Sequence, residues 1–154
     1  IADAAWVAKT YGRTPFISAQ NHYNWLHREA ESDVLPACER FGLGVLPYFP
    51  LASGLLTGKY RRGAAAPAGG RLSEPRYASR LAGAAWDTIE AIESFANARG
   101  LAMLDVAIGG LAAQPAVTSV IAGATRPEQI ASNVAAGAWI PTDEELAELR
   151  SIAA

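Results

Sequence analysis

The chain has 154 residues, 51% of them apolar and 18% charged, enough for one domain with its own core and an ordinary globular composition. Thirteen Lys and Arg against fifteen Asp and Glu give a net charge of -2, which argues against general nucleic-acid binding. No apolar run is long enough to span a membrane, no signal peptide is expected, and Cys38 as the only cysteine excludes an internal disulfide, so a reducing, cytoplasmic setting is the expectation.

The chain starts with Ile1 rather than Met, inside a stretch that reads as a helix (Ala2, Ala4, Ala5, Trp6, Val7, Ala8) before Tyr11-Gly12. The expectation is a piece of a longer protein. A first strand is predicted over 15–20. Ser32 and Asp33 are N-cap candidates for a helix through Cys38 and Phe41, with Pro36 near its first turn and Gly42 as its stop. A second strand is predicted over 44–49. The segment 61–77 holds Gly63, Pro67, Gly69, Gly70, Pro75 and four arginines without apolar period, and reads as a long loop.

A helix follows over about 84–99, with Trp86, Ile89, Ile92 and Phe95 on one face and Gly100 at its end. The next, over about 102–113, carries Gly109-Gly110, each of which weakens a helix by roughly 1 kcal/mol against alanine. A third strand is predicted over 117–122. The second and third strands are almost continuously apolar, as strands buried on both faces are. Thr125 with Glu128, and Thr142 with Glu145, read as capping boxes opening the last two helices. Strands separated by helices imply an α/β fold of parallel β/α units with right-handed crossovers. Three strands make a poor complete sheet, and a (β/α)8 barrel cut near its middle accounts for them.

In such barrels function collects where strands end. The first strand ends in Gln20-Asn21-His22-Tyr23-Asn24, where a side-chain amide can donate to and accept from a carboxamide. A polar strand end lining a solvent-filled mouth looks the same. His22 and His27 lack acidic or cysteine partners at ligand spacing, so no metal site is expected. The second strand leads into Tyr48-Phe49-Pro50-Leu51-Ala52-Ser53-Gly54 and on to Gly58-Lys59: an aromatic face, close backbone approach and a cation for phosphate. An aromatic core residue followed by a turn is the plainer alternative. After the third strand, Gly123, Thr125 and Arg126 precede a helix whose free N–H groups form an anion site, with Gln129 and Asn133 on one face. A well-capped surface helix is the alternative there.

Together these segments, 20–24, 46–60 and 121–133, resemble in order and spacing the aldo-keto reductase family. The likeness is closest to the branch containing potassium-channel β-subunits and many bacterial reductases, and it covers nearly the whole chain. The resemblance implies one domain, 1–154, that is a partial aldo-keto reductase barrel without its N-terminal half. It implies NADPH as cofactor and a small carbonyl compound as substrate. Gln20 would hold the nicotinamide carboxamide, and Tyr48 would stack on the ring. Phe49, Pro50, Leu51, Ser53 and Lys59 would line the pyrophosphate. Arg71 would belong to a strap over the cofactor. Gly123, Thr125, Arg126, Gln129 and Asn133 would hold the adenosine end and its 2′-phosphate.

Two features depart from the family pattern: Ser132 stands where an acid often precedes the final asparagine, and Gly109-Gly110 replaces a bulkier pair. The family's catalytic tyrosine, aspartate, lysine and histidine all come from the first half of the barrel, so no catalytic residue is expected in this chain. The resemblance leaves two functional expectations, a carbonyl reductase and an NADPH-sensing binding module. A different barrel enzyme sharing the phosphate corner would explain Gly123 to Gln129 but leave the Tyr48 to Lys59 run unexplained.

Overall fold

The computed structural model describes residues 1–153. Helix α1 (Ala2–Tyr11) leads to strand β1 (Ser18–His22), then α2 (Val34–Phe41) and strand β2 (Gly44–Tyr48). Helices α3 (Ala78–Ala82), α4 (Trp86–Asn97), α5 (Met103–Ala112), α6 (Pro127–Ala136) and α7 (Asp143–Ile152) complete the chain. Helix α2 starts after Asp33 and stops at Gly42, whose φ of 69° is the left-handed conformation that ends helices at glycine.

Strands β1 and β2 are parallel, in register from Ser18 opposite Gly44 to His22 opposite Tyr48. The α/β character with parallel pairing is as expected. β1 begins three residues later than the sequence suggested.

The third strand is a correction. Residues 117–122 form no continuous strand and pair with β2 as two isolated parallel bridges, at Val45–Val117 and Tyr48–Ile121. β2 advances three residues between these bridges while its neighbour advances four, so the neighbour carries one extra residue. The cause lies in β2: Pro47 has no N–H to donate. Its carbonyl still accepts from Ile121 N–H at 2.9 Å, and Val45 carbonyl from Thr118 N–H at 3.0 Å. Thr118 lies directly on Gly44, where a Cβ would stand 2.6 Å from its Oγ1.

The segment 61–77 is more ordered than a plain loop. It contains 3-10 turns at Arg71–Ser73 and Pro75–Tyr77 and runs straight into α3. Leu72 is buried, and its N–H donates to the Tyr60 hydroxyl at 3.0 Å. This pins the excursion to the body of the protein.

The core gathers Trp25, Val45, Leu56, Ile92, Val106 and Leu149. Trp25 is fully buried, and its indole N–H donates to the Val106 carbonyl at 3.0 Å. This packing explains Gly109-Gly110. A Cβ on Gly110 would lie 2.9 Å from the Trp25 ring, and one on Gly109 2.7 Å from the Trp139 carbonyl oxygen. α5 therefore gives up helix propensity for close approach on two sides.

A half-buried polar clamp fastens the β1 exit to α7. The Tyr23 hydroxyl and the Arg28 guanidinium both donate to Glu31, and Arg28 also donates to the Arg150 carbonyl. Burial pushes the Glu31 carboxyl up, but the hydrogen bonds from Arg28 and Tyr23 outweigh it and hold the group below its ordinary value.

α7 opens with the expected capping box between Thr142 and Glu145. The one expected at Thr125 and Glu128 is absent. α6 instead has Arg126 at its N-cap with no side-chain bond, and Pro127 in its first turn. No described helix is long and apolar enough to cross a membrane.

Candidate functional site

The parallel register puts the ends of β1 and β2 side by side, and their last side chains meet. His22 stacks against Tyr48, with ring centroids 5.4 Å apart and planes 18° from parallel. His22 also stacks on His27 at 3.8 Å, and Phe49 stands edge-on to both His22 and Tyr48 at 5.8 Å. Gln20, two residues back on β1, is exposed and opposite Leu46.

Asn24 ties this corner together. It is 1% exposed. Its Oδ1 accepts from Leu26 N–H at 2.8 Å, so its Nδ2 faces the other way. That nitrogen donates to the Phe49 carbonyl at 2.9 Å and lies 3.2 Å from His22 Nε2. Burial, then His27, lowers the His22 pKa, with Arg80 adding to the effect and Glu29 opposing it.

The chain leaves β2 in an unusual conformation. Phe49, Ala52 and Ser53 have φ values of 59°, 46° and 61°, a region that side-chain-bearing residues seldom occupy. Gly54 follows at 97°. Each of the three residues other than glycine costs on the order of 1–3 kcal/mol there, and strain of this kind gathers where backbone is shaped for a ligand. The turn holds itself with Gly54 N–H donating to the Leu51 carbonyl at 2.7 Å and the Thr57 hydroxyl to the Gly54 carbonyl at 2.7 Å. Pro50, Ser53 and Gly54 are buried, and Leu51 is half-buried.

Three cations converge on this turn. Arg80, from α3, donates to Ser53 Oγ at 2.7 Å. The Arg71 guanidinium lies 6.0 Å from the Phe49 ring centre. Lys59 folds back on Gly54, where a Cβ would stand 3.4 Å from its Nζ. Their neighbours are spoken for: Arg61 pairs with Glu93, Arg62 with Asp87 and Glu90, and Arg76 with Glu74. Among the described residues, Lys59, Arg71 and Arg80 make no such ion pair. A glycine-bearing turn ringed by exposed cations without carboxylate partners attracts an anion.

The residues ahead of α6 form a second group. The Tyr48–Ile121 bridge brings the approach to Gly123 and Thr125 alongside the aromatic corner. The Gln129 side-chain carbonyl accepts from Thr125 N–H at 2.7 Å and from the Thr125 hydroxyl at 3.1 Å. This replaces the expected capping by Glu128. Gln129 reaches back because Arg126, and not Thr125, occupies the N-cap. Gly123 and Arg126 are exposed. Asn133 lines an apolar cavity of about 440 Å³ with Ile108, Val120 and Ile130. Among the described residues, no hydrogen bond or ion pair joins α6 to the 49–80 segment.

The whole chain, residues 1–154, matches the profile of the Aldo/keto reductase family. The chain belongs to that family. Family membership implies a (β/α)8 barrel. Among its relatives is a probable voltage-gated potassium channel subunit beta of Oryza sativa subsp. japonica. It is 35% identical over 146 residues, 92% of this chain and 44% of the relative. A putative channel subunit beta of Schizosaccharomyces pombe is 34% identical over 149 residues, 91% of this chain and 42% of the relative. An L-glyceraldehyde 3-phosphate reductase of Escherichia coli (strain K12) is 34% identical over 131 residues, 80% of this chain and 37% of the relative. The chain spans less than half the length of these relatives.

In this aldo/keto reductase chain, Tyr48, Phe49, Ser53, Lys59 and Arg71 come together around one turn. Thr125 and Gln129 bond to one another beyond the neighbouring segment, and Asn133 lies in a separate groove. Sequence reasoning assigned no role to Asn24 or Arg80. Asn24 stood within the polar run ending the first strand, and its two flanking aromatics, Tyr23 and Trp25, were a sign that it would be buried. Arg80 gave no such sign, because the short helix that presents it was not foreseen.

Proposed function

We propose that the chain is the cofactor-binding, C-terminal part of a (β/α)8-barrel oxidoreductase that uses NADPH to reduce aldehydes and ketones. The observation that carries this is the convergence of Lys59, Arg71 and Arg80 on the strained 49–54 turn, beside the Tyr48 aromatic corner. A flat ring next to an anion-seeking turn suits a nicotinamide dinucleotide.

The donor set fits that cofactor. Tyr48 offers the face for the nicotinamide, and Gln20 the amide for its carboxamide. The 49–53 backbone with Ser53, Lys59, Arg71 and Arg80 meets the pyrophosphate. Gly123, Thr125, Arg126, Gln129 and Asn133 serve the adenosine end. NADPH, when bound, supplies the hydride. The proton donor and the rest of the carbonyl pocket come from the N-terminal half of the barrel, which the relatives' greater length supports.

The test is expression of the complete reading frame, followed by NADPH fluorescence titration and NADPH oxidation with a panel of aldehydes. Saturable binding with turnover supports the proposal; neither binding nor turnover sinks it. A second reading draws on the relatives whose name is voltage-gated potassium channel subunit beta: an NADPH-sensing module that works through a partner. Tight binding without turnover, in a protein lacking the catalytic tyrosine and lysine, selects that reading.

A further inference from the structure

We propose that His22, held neutral by Asn24, is a positioning residue that props the Tyr48 ring for the cofactor, and that protonating His22 releases this prop. The inference rests on the NADPH reading above.

The Asn24 amide has one allowed orientation. Leu26 N–H donates to Asn24 Oδ1 at 2.8 Å, and an amide turned the other way would set two N–H groups face to face. Nδ2 is therefore fixed toward Phe49 and His22. It is a donor only, so the His22 Nε2 at 3.2 Å must be the unprotonated, accepting nitrogen. The imidazole is neutral, with its proton on Nδ1.

Protonation turns this contact into two donors pointing at one another. Asn24 cannot turn away, because it is buried and held by Leu26 and Phe49. His22 must be the group that moves. Its ring is the one that stacks on Tyr48 at 5.4 Å, so its departure removes a wall of the aromatic corner.

The charged groups around His22 come from three places. His27, stacked at 3.8 Å, repels a second positive ring. Arg80, from α3, acts in the same sense. Glu29 opposes both, but it is exposed and lies 3.9 Å from His27. Tyr48 brings a neutral ring. The balance keeps the neutral form through neutral pH and places its loss on the acid side of ordinary histidine titration.

The complete protein is titrated with NADPH by fluorescence from about pH 5 to about pH 8, with NADH alongside to separate any titration of the cofactor's 2′-phosphate. The expected result is constant affinity at neutral pH and a loss of roughly fivefold or more on acidification, the worth of about one net hydrogen bond. His22→Phe keeps an aromatic ring and cannot titrate, so its profile should be flat. His27→Gln removes the like-charged neighbour, so its acid limb should move to higher pH. An acid limb of wild-type size persisting in His22→Phe, or one unmoved in His27→Gln, overturns the inference while leaving the cofactor reading standing. No NADPH binding at any pH overturns both.

Discussion

Arg76, in the turn at Pro75–Tyr77, and Arg80, four residues on in α3, do different things. Arg76 pairs with Glu74 at 2.8 Å on the surface, where such a pair is worth little. Arg80 donates to the buried Ser53 hydroxyl with no carboxylate to neutralise it. Arg80→Ala should therefore weaken NADPH affinity about tenfold, the usual loss for one charge-assisted hydrogen bond. Arg76→Ala should leave it unchanged. Fluorescence titration of both variants in the complete protein decides the matter, and equal effects would refute the assignment. The contrast also shows how far the site was readable. Tyr48, Ser53 and Lys59 lie close together in sequence, on one strand and its exit, so their residue types at a strand end made them candidates, with a core aromatic before a turn as the alternative. Arg80 joins them only through the path of α3. Asn24 matters only because Leu26 fixes its amide.

At the scale of elements, two helix ends were legible, since they depend on local chemistry, while the box expected at Thr125 and Glu128 gave way to Arg126 as the N-cap. Gly42 ends α2, and Thr142 with Glu145 opens α7, where each was expected. The third strand was not legible, because its fate is decided by Pro47 in a different element seventy residues away in the chain. Gly109-Gly110 shows the same limit. By helix propensity alone, Gly→Ala in α5 should stabilise by up to about 1 kcal/mol. The structure reverses the sign. An added Cβ would meet the Trp139 carbonyl at 2.7 Å or the Trp25 ring at 2.9 Å, well inside ordinary contact distance. Backbone and a buried indole cannot step aside cheaply. Gly109→Ala and Gly110→Ala should each destabilise by about 1–3 kcal/mol, as overpacked cores do. Urea denaturation of the complete protein measures this, and a gain in stability for either variant would contradict the packing account.

At the scale of the whole molecule, two stretches carry the most exposed of the large apolar side chains. Phe16 and Ile17, just before β1, are 73% and 80% exposed. Val134 and Ile140, on and after α6, are 73% and 85% exposed. β1 pairs with β2 on one side only among the described residues. An apolar cavity of about 220 Å³, lined by Phe16, Ala19, Ile1 and Leu43, opens beside it. Bare strand edges flanked by large apolar side chains seek pairing partners. In the proposed complete barrel the N-terminal half would cover both regions, and closure would remove the edges altogether. The 154-residue chain alone should then associate with itself and unfold without a sharp transition. Sedimentation velocity across a range of concentrations should show growing species, and replacing Phe16 and Ile17 by lysine should suppress them, because charge on an edge blocks pairing. A monomer with a cooperative thermal transition and unaided NADPH binding would mean that these surfaces need no cover, and that the half-barrel reading is wrong.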